Sequence, residues 1–324
     1  MKNELSRRRF IAAAGLGAAA GAANASLLSG VASETVPPRK FYFILSLGRI
    51  GFHGTFEQSV ELATRYGFEG IDPDAEYFAR LSGDQLKKLL DDLRGKNLNL
   101  GAAGLPVDFR KDEQTFSEGL KKLPAVAKVL EGAGVPRVST WILPCSDDLT
   151  YLQNFRQHAC RLRACAEVLG DHGQRLGLEY VAPKTLWRSA RHPFIHTMSE
   201  TKELLIAIGT DNLGIQLDSW HWFNAEDTEA DLLTLRSQDV VTVDLNDAPA
   251  GIPMDKLIDS SRELPAATGV IPVKSFLGAL LKIGYDGPIQ AEPFNAALRA
   301  MPIDQACSAA AAAIKKALSL AGTS

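Results

Sequence analysis

Short apolar runs of strand length recur along this chain, and between them the apolar positions fall at the three- and four-residue spacing of a helix face. Residues 41–45 form the first run and 56–66 the first helical stretch. Gly67 stops that helix and opens Gly67-Phe68-Glu69-Gly70-Ile71-Asp72, the second strand. Further strands are predicted over 98–102, 138–143, 175–180, 213–218, 240–244 and 288–292. Helices are predicted over 83–93, 114–131, 149–171, 200–208, 228–235, 273–283 and 303–321. In the longest of them Phe155, Leu162, Cys165, Val168 and Leu169 share roughly one face. Strands alternating with helices imply parallel pairing and right-handed crossovers, and eight such units suit a single-domain (β/α)8 TIM barrel better than an open doubly wound sheet. No segment within 41–324 reads as a domain boundary. The loop after the first strand, Leu47-Gly48-Arg49-Ile50-Gly51, lacks the dinucleotide glycine spacing, and no phosphate-cradling G-x-x-x-x-G-K-[ST] occurs.

Four of the runs end in a carboxylate. They are Leu176-Gly177-Leu178-Glu179, Leu213-Gly214-Ile215-Gln216-Leu217-Asp218, Val240-Val241-Thr242-Val243-Asp244 and Pro288-Ile289-Gln290-Ala291-Glu292. An acid at the tip of a buried strand is costly to desolvate, and packing does not account for one on each of four strands. In a parallel barrel these tips converge on the C-terminal mouth, where active sites lie. Such an oxygen-rich cage suits a divalent cation, Mn²⁺ or Mg²⁺ by hardness, with Zn²⁺ or Co²⁺ as softer options. A cation there polarises a sugar carbonyl and its neighbouring hydroxyl, while a nearby glutamate carries the proton. The plainer reading is that each acid caps a helix or pairs with an arginine. For one residue alone that reading is favoured; four at corresponding strand ends favour a site.

The loop Pro183-Lys184-Thr185-Leu186-Trp187-Arg188-Ser189-Ala190-Arg191-His192-Pro193 is basic and follows the fifth strand, so Lys184, Arg188 or His192 could hold substrate oxygens or simply be solvated. Trp141, Trp187, Trp220 and Trp222 fall near the same rim, where an aromatic face either stacks on a sugar ring or packs. His158, His172 and His196 read as structural or exposed, and His53 lies within reach of the pocket.

Composition changes the picture mainly at the N-terminus. Ser6-Arg7-Arg8-Arg9-Phe10-Ile11 precedes a weakly hydrophobic Ala- and Gly-rich stretch, then small residues at Ala23-Asn24-Ala25 and Gly30-Val31-Ala32. We read residues 1–32 as a twin-arginine export signal and 33–40 as a linker, with a periplasmic or otherwise exported barrel over 41–324. A membrane anchor is the lesser option, because the stretch is poor in Leu, Ile and Phe. Removing Lys2, Arg7, Arg8 and Arg9 against Glu4 takes the formal charge from -3 to -6. A mildly acidic domain without a basic stripe argues against nucleic acid. No stable membrane insertion is expected after cleavage, and a homo-oligomer is left open. Cys145, Cys160, Cys165 and Cys307 form no C-x-x-C pair and read as buried free thiols.

Gly67-Phe68-Glu69-Gly70-Ile71-Asp72, Leu178-Glu179, Leu217-Asp218-Ser219-Trp220-His221, Val243-Asp244-Leu245-Asn246-Asp247 and Ala291-Glu292-Pro293, in this order, resemble the xylose-isomerase-like sugar isomerase and epimerase superfamily. That superfamily includes ketose 3-epimerases, inosose dehydratases and endonuclease IV-type enzymes. The resemblance implies metal ligands at Glu179, Asp218, Asp244 and Glu292, an acid/base pair in Glu179 and Glu292, and a substrate contact at His221. Lys184, Trp141, Trp220 and Asp247 complete the expected substrate contacts, Asp247 alternatively supporting the ligands from behind. The implied function is a divalent-metal-dependent isomerase or epimerase that takes a proton from next to a carbonyl of a sugar or keto-sugar. The alternatives are a keto-sugar dehydratase or lyase and a non-catalytic sugar-binding barrel. The last arises because the superfamily usually carries histidine where this chain has Asp244.

Overall fold

The computed structural model describes residues 37–323; the arginine-rich leader and residues 33–36 of the linker lie outside the described residues. Nine parallel segments form one sheet: β1 Tyr42–Leu45, β2 Gly70–Ile71, β3 Asn99–Leu100, β4 Ala103–Gly104, β5 Arg137–Trp141, β6 Arg175–Glu179, β7 Leu213–Asp218, β8 Val240–Leu245 and β9 Pro288–Ala291. Their order is β3-β2-β1-β9-β8-β7-β6-β5-β4. The two ends of this sheet, β3 and β4, are consecutive in the chain, so the sheet returns on itself as a TIM barrel with helices around it. The expected third strand is therefore two: β3 pairs with β2 and β4 with β5. The break falls at Gly101, where a Cβ would meet the Ile44 side chain.

Local sequence sets the turns between these elements. Helix Phe56–Tyr66 starts at a capping box, Thr55 and Gln58 bonding each other's backbone, and ends at Gly67 in the left-handed region with φ 73°. The chain then re-enters the sheet at once, with the Glu69 N–H on the Phe43 carbonyl. The long helix Tyr151–Asp171 buries Leu162, Cys165 and Leu169, the face expected from spacing. Between 228 and 235 the helix shortens to Glu229–Leu232, and a further short helix, Ser219–Asn224, follows directly on β7. All four cysteines are free; Cys145, Cys165 and Cys307 are buried, whereas Cys160 is exposed, correcting the expectation for that residue. Among the described residues no helix is long and apolar enough to cross a membrane.

After β8 the chain does not turn straight into the next helix, which begins only at Val273. The intervening loop is drawn together by one buried carboxylate. Asp247 Oδ1 accepts the N–H groups of Ala248 and Ile271, and Oδ2 those of Thr268 and Gly269, at 2.7–2.9 Å. Its backbone also exchanges two hydrogen bonds with Glu263.

Close backbone approach at β2 yields a stability test. A Cβ on Gly70 would stand 2.5 Å from the Asn99 carbonyl oxygen and 2.8 Å from Ile44 Cγ2. Gly70→Ala is expected to destabilise the barrel by about 1–3 kcal/mol in thermal unfolding. Gly83→Ala, where nothing lies within 4 Å of the added carbon, is expected to leave Tm nearly unchanged.

Candidate active site

Three of the four predicted acids end or nearly end their strands: Glu179 closes β6, Asp218 closes β7, and Asp244 is the penultimate residue of β8. Glu292 follows the last residue of β9. Asp244 is in register with Asp218 on one side and Gln290 on the other, so these side chains enter the barrel together. Glu179, Asp218 and Asp244 are buried and Glu292 is nearly so. One oxygen from each of the four lies within 4.8 Å of the others.

Two arginines that sequence reasoning passed over complete the cluster. Arg49, from the loop after β1, places Nη1 2.5 Å from Glu292 Oε1 and 3.1 Å from Asp244 Oδ1. Arg262, from the long loop organised by Asp247, places Nη1 2.7 Å from Asp218 Oδ2 and 2.9 Å from Glu292 Oε2. Arg262 also donates to Asp259 Oδ1 at 2.9 Å, and its guanidinium lies over the rings of Trp220 and Phe294. Burial works against both guanidinium charges, yet the facing carboxylates raise both above the ordinary value. Arg49 sits in a loop that the barrel prediction already places at the mouth, so its position was available as a signal. Arg262 lies mid-loop, where no periodicity points to a partner.

Amide side chains finish the wiring. Gln216 and Gln290 each donate to one oxygen of Asp244, at 2.8 and 2.9 Å. Asp218 Oδ1 caps helix Ser219–Asn224 through the Trp220 N–H and accepts from Asn246 Nδ2. Asn246 Oδ1 in turn accepts the Glu292 N–H. Capping and arginine pairing, the plainer reading of each acid, therefore hold for Asp218, Asp244 and Glu292. Glu179 is the exception: its Oε1 is buried and has no hydrogen-bond partner among the described residues. Burial, reinforced by Glu292, Asp244 and Asp218, pushes its carboxyl well above the usual range. Burial likewise raises Asp218 to about 8 and Asp244 to about 6, with Arg262 and Arg49 respectively opposing.

His221 belongs to this cluster. Its Nε2 is 3.8 Å from Glu179 Oε1 and 3.7 Å from Asp218 Oδ2. The Ala182 N–H donates to Nδ1 at 3.2 Å, so the neutral ring carries its hydrogen on Nε2 and presents a donor to the acids. Burial keeps it neutral, well below its ordinary pKa. Glu179, Asp218 and His221 also form a set with metal-holding spacing, so Nε2 is available either as a donor to the acids or, in the other tautomer, as a ligand.

The other predicted contacts are distributed differently. Trp141 is in register with Glu179, about two-fifths exposed at the mouth, with Arg110 stacked 4.2 Å from its ring centroid. Trp220 is fully buried and donates Nε1–H to Asp259, so it packs under Arg262 instead of meeting a ligand. Asp247 is buried with its oxygens consumed by the backbone of the loop that carries Arg262. Lys184 is exposed, and lines an outer cleft of about 540 Å³ with Trp187, His196 and Met254 in which none of the four carboxylates takes part. His53 lines a cavity of about 430 Å³ on the Arg49 side, with Leu47, Phe52 and Asp72. His158 is structural: it packs edge-on to Phe109, and burial lowers it to about 4.

The donor set fits a divalent cation. Oxygens sharing one ion at ~2.1 Å stand roughly 3–4 Å apart, comparable to the spread found here. Four carboxylates and two guanidiniums leave two formal negative charges, and Glu179 Oε1 is an orphaned buried acceptor facing that point.

The raised Glu179 carboxyl predicts a pH signature in chelator-treated protein. Above the pKa of the unfolded chain, about 4.3, the native state holds a proton that the unfolded state has lost, so stability falls as pH rises. Glu179→Gln removes that loss. Its Tm is expected to match the parent near pH 4 and to exceed it progressively toward pH 8. An unchanged Tm difference across that range would remove the buried-acid assignment.

Residues 60–319 match the family described as xylose isomerase-like TIM barrel. The inosose isomerase of Halalkalibacterium halodurans is 22% identical over 245 residues, covering 74% of this chain and 82% of the relative. The 3-dehydroshikimate dehydratase of Pseudomonas putida is 26% identical over 266 residues, 80% of this chain but only 39% of that longer protein. Among solved structures, the IolI protein with a bound zinc atom superposes with TM-score 0.71 at 18% identity, covering 86% of this chain and 98% of its own. With its matched region, its barrel and its strand-end acids in place, this chain belongs to the xylose isomerase-like TIM barrel family.

Proposed function

We propose that this protein is a divalent-metal-dependent enzyme that moves a proton next to the carbonyl of a sugar or keto-sugar, isomerising or epimerising it. The observation that carries this is Glu179: a buried carboxylate with an unpartnered oxygen, at the centre of three partnered ones. Such a group has high proton affinity, and a divalent charge beside it would favour its ionised form, which suits a base that must take a carbon-bound proton. Glu292 is held on both oxygens by arginines and serves as the opposing acid/base only through that network. The ion, Mn²⁺ or Mg²⁺ by the all-oxygen donor set, polarises the carbonyl when bound. Glu179, Asp218, Asp244 and Glu292 would hold it. His221 Nε2–H offers a hydrogen bond to a substrate oxygen, and Trp141 offers a rim surface for an apolar sugar face. The arginine-rich leader supports export of the folded enzyme.

Elimination is the second reading, favoured by the dehydratase relative. The same proton leaves the carbon beside the carbonyl, and a hydroxyl on the next carbon departs as water, leaving a conjugated double bond.

Incubating the Mn²⁺-loaded protein in D₂O with a panel of keto-sugars and cyclic keto-polyols tests both. Deuterium is expected at the carbon beside the carbonyl, and Glu179→Gln is expected to lower that exchange by about 10²–10⁴-fold. Growth of a conjugated-carbonyl absorbance assigns elimination; exchange without it assigns isomerisation. A protein that binds Mn²⁺ yet exchanges no substrate proton across the panel would overturn the enzymatic reading in favour of binding.

A further inference from the structure

Arg49 shares its acceptors with the metal site. Its Nη1 donates to Glu292 Oε1 and forms an ion pair with Asp244 Oδ1 at 3.1 Å, on two of the four carboxylates that converge. Asp244 Oδ1 also accepts the Gln290 amide, so the guanidinium charge lies against an oxygen that already has a donor. With Arg49 in place, Glu292 spends its two oxygens on two arginines. A cation drawing on Glu292 and Asp244 therefore contends with a positive charge already seated there.

The two arginines are not equally fixed. Arg262 is held by Asp218, Glu292 and Asp259 and covered by Trp220 and Phe294, with 2% of its side chain exposed. Arg49 is 24% exposed, and among the described residues its hydrogen bonds and ion pairs run through Nη1 alone. It sits in a short loop between Gly48 and Gly51, the latter at φ 93°. A cavity lined by Leu47, Gly48 and His53 flanks this loop, and Asp72 on its wall attracts the Arg49 charge.

We propose that Arg49 is a built-in counter-cation that occupies the carboxylate cluster in the metal-free protein and is displaced into the mouth when a divalent ion loads. This rests on the metal-dependent reading above. An internal occupant lowers the apparent affinity for the ion by the factor that favours the occupied state, as any competing conformation does. It also keeps four clustered acids from facing one another uncompensated before loading. Once displaced, the guanidinium would face the cavity that Asp72 lines, with donors left to receive a substrate oxygen.

Two measurements test this, neither relying on turnover. Titrated with Mn²⁺ by calorimetry, Arg49→Gln is expected to bind roughly tenfold or more tightly than the parent protein. In the unaltered protein, phenylglyoxal followed by peptide mass spectrometry is expected to modify Arg49 several-fold faster with saturating Mn²⁺ than with chelator, while Arg262 stays unmodified in both. The labelling decides the matter if Arg49→Gln does not fold without metal. Mn²⁺ binding by both proteins with equal affinity, or weaker binding by the variant, overturns the displacement and leaves the metal reading standing. Labelling that is unchanged or slowed by bound Mn²⁺ does the same. Absence of Mn²⁺ binding by either protein overturns both readings.

Discussion

The constraint that organises this molecule is the mutual repulsion of four carboxylates at the mouth of one barrel. At a separation near 4 Å two like charges cost about 4 kcal/mol even with an effective dielectric of 20. Strand geometry leaves them no retreat, since each side chain follows from its place on β6, β7, β8 or just past β9. The surroundings are accordingly built as counter-charge and donor. Arg49 and Arg262 supply charge from two loops far apart in sequence, and Gln216, Gln290, Asn246 and the Trp220 N–H supply donors. The long loop after β8 becomes intelligible as the arm that carries Arg262 inward, with Asp247 as its clasp.

The Asp at position 244 takes on a definite meaning in this setting. The resemblance drawn from the sequence alone implies a histidine at this position. Asp244 adds one negative charge and Arg49, 3.1 Å away, adds one positive. The pair is formally neutral, so Asp244 and Arg49 together add no net charge to the cage. The acid at this strand tip is thus matched by a basic residue on the neighbouring side of the barrel mouth.

Much of this was legible from residue order. The eight-fold alternation, the helix stop at Gly67 and the convergence of Glu179, Asp218, Asp244 and Glu292 follow from periodicity and the geometry of parallel barrels. The splitting of the third strand was not, because Leu100 and Ala103 are told apart only by which neighbour each segment meets. Trp220 and Asp247 look like site residues in sequence, and both turn out to serve the loop and arginine behind the site. What hid Arg262 was distance: its partners lie 30 and 44 positions away, and nothing local marks the pairing. A fainter signal was present in the residues two positions before the acids. Gln216, Thr242 and Gln290 are polar where a buried strand should be apolar, and two of them hold Asp244.

The contact between Arg49 and Glu292 crosses the seam where β1 lies beside β9, the earliest and latest barrel strands to be synthesised. During translation Glu179, Asp218 and Asp244 leave the ribosome well before the residue that ties both arginines together. Closing the barrel and completing the charge pattern are therefore a single late event. A nascent chain short of residue 288 has neither the seam nor the bridging carboxylate, and its exposed strand edges and unmatched acids mark it as unfinished to any factor that monitors folding before release.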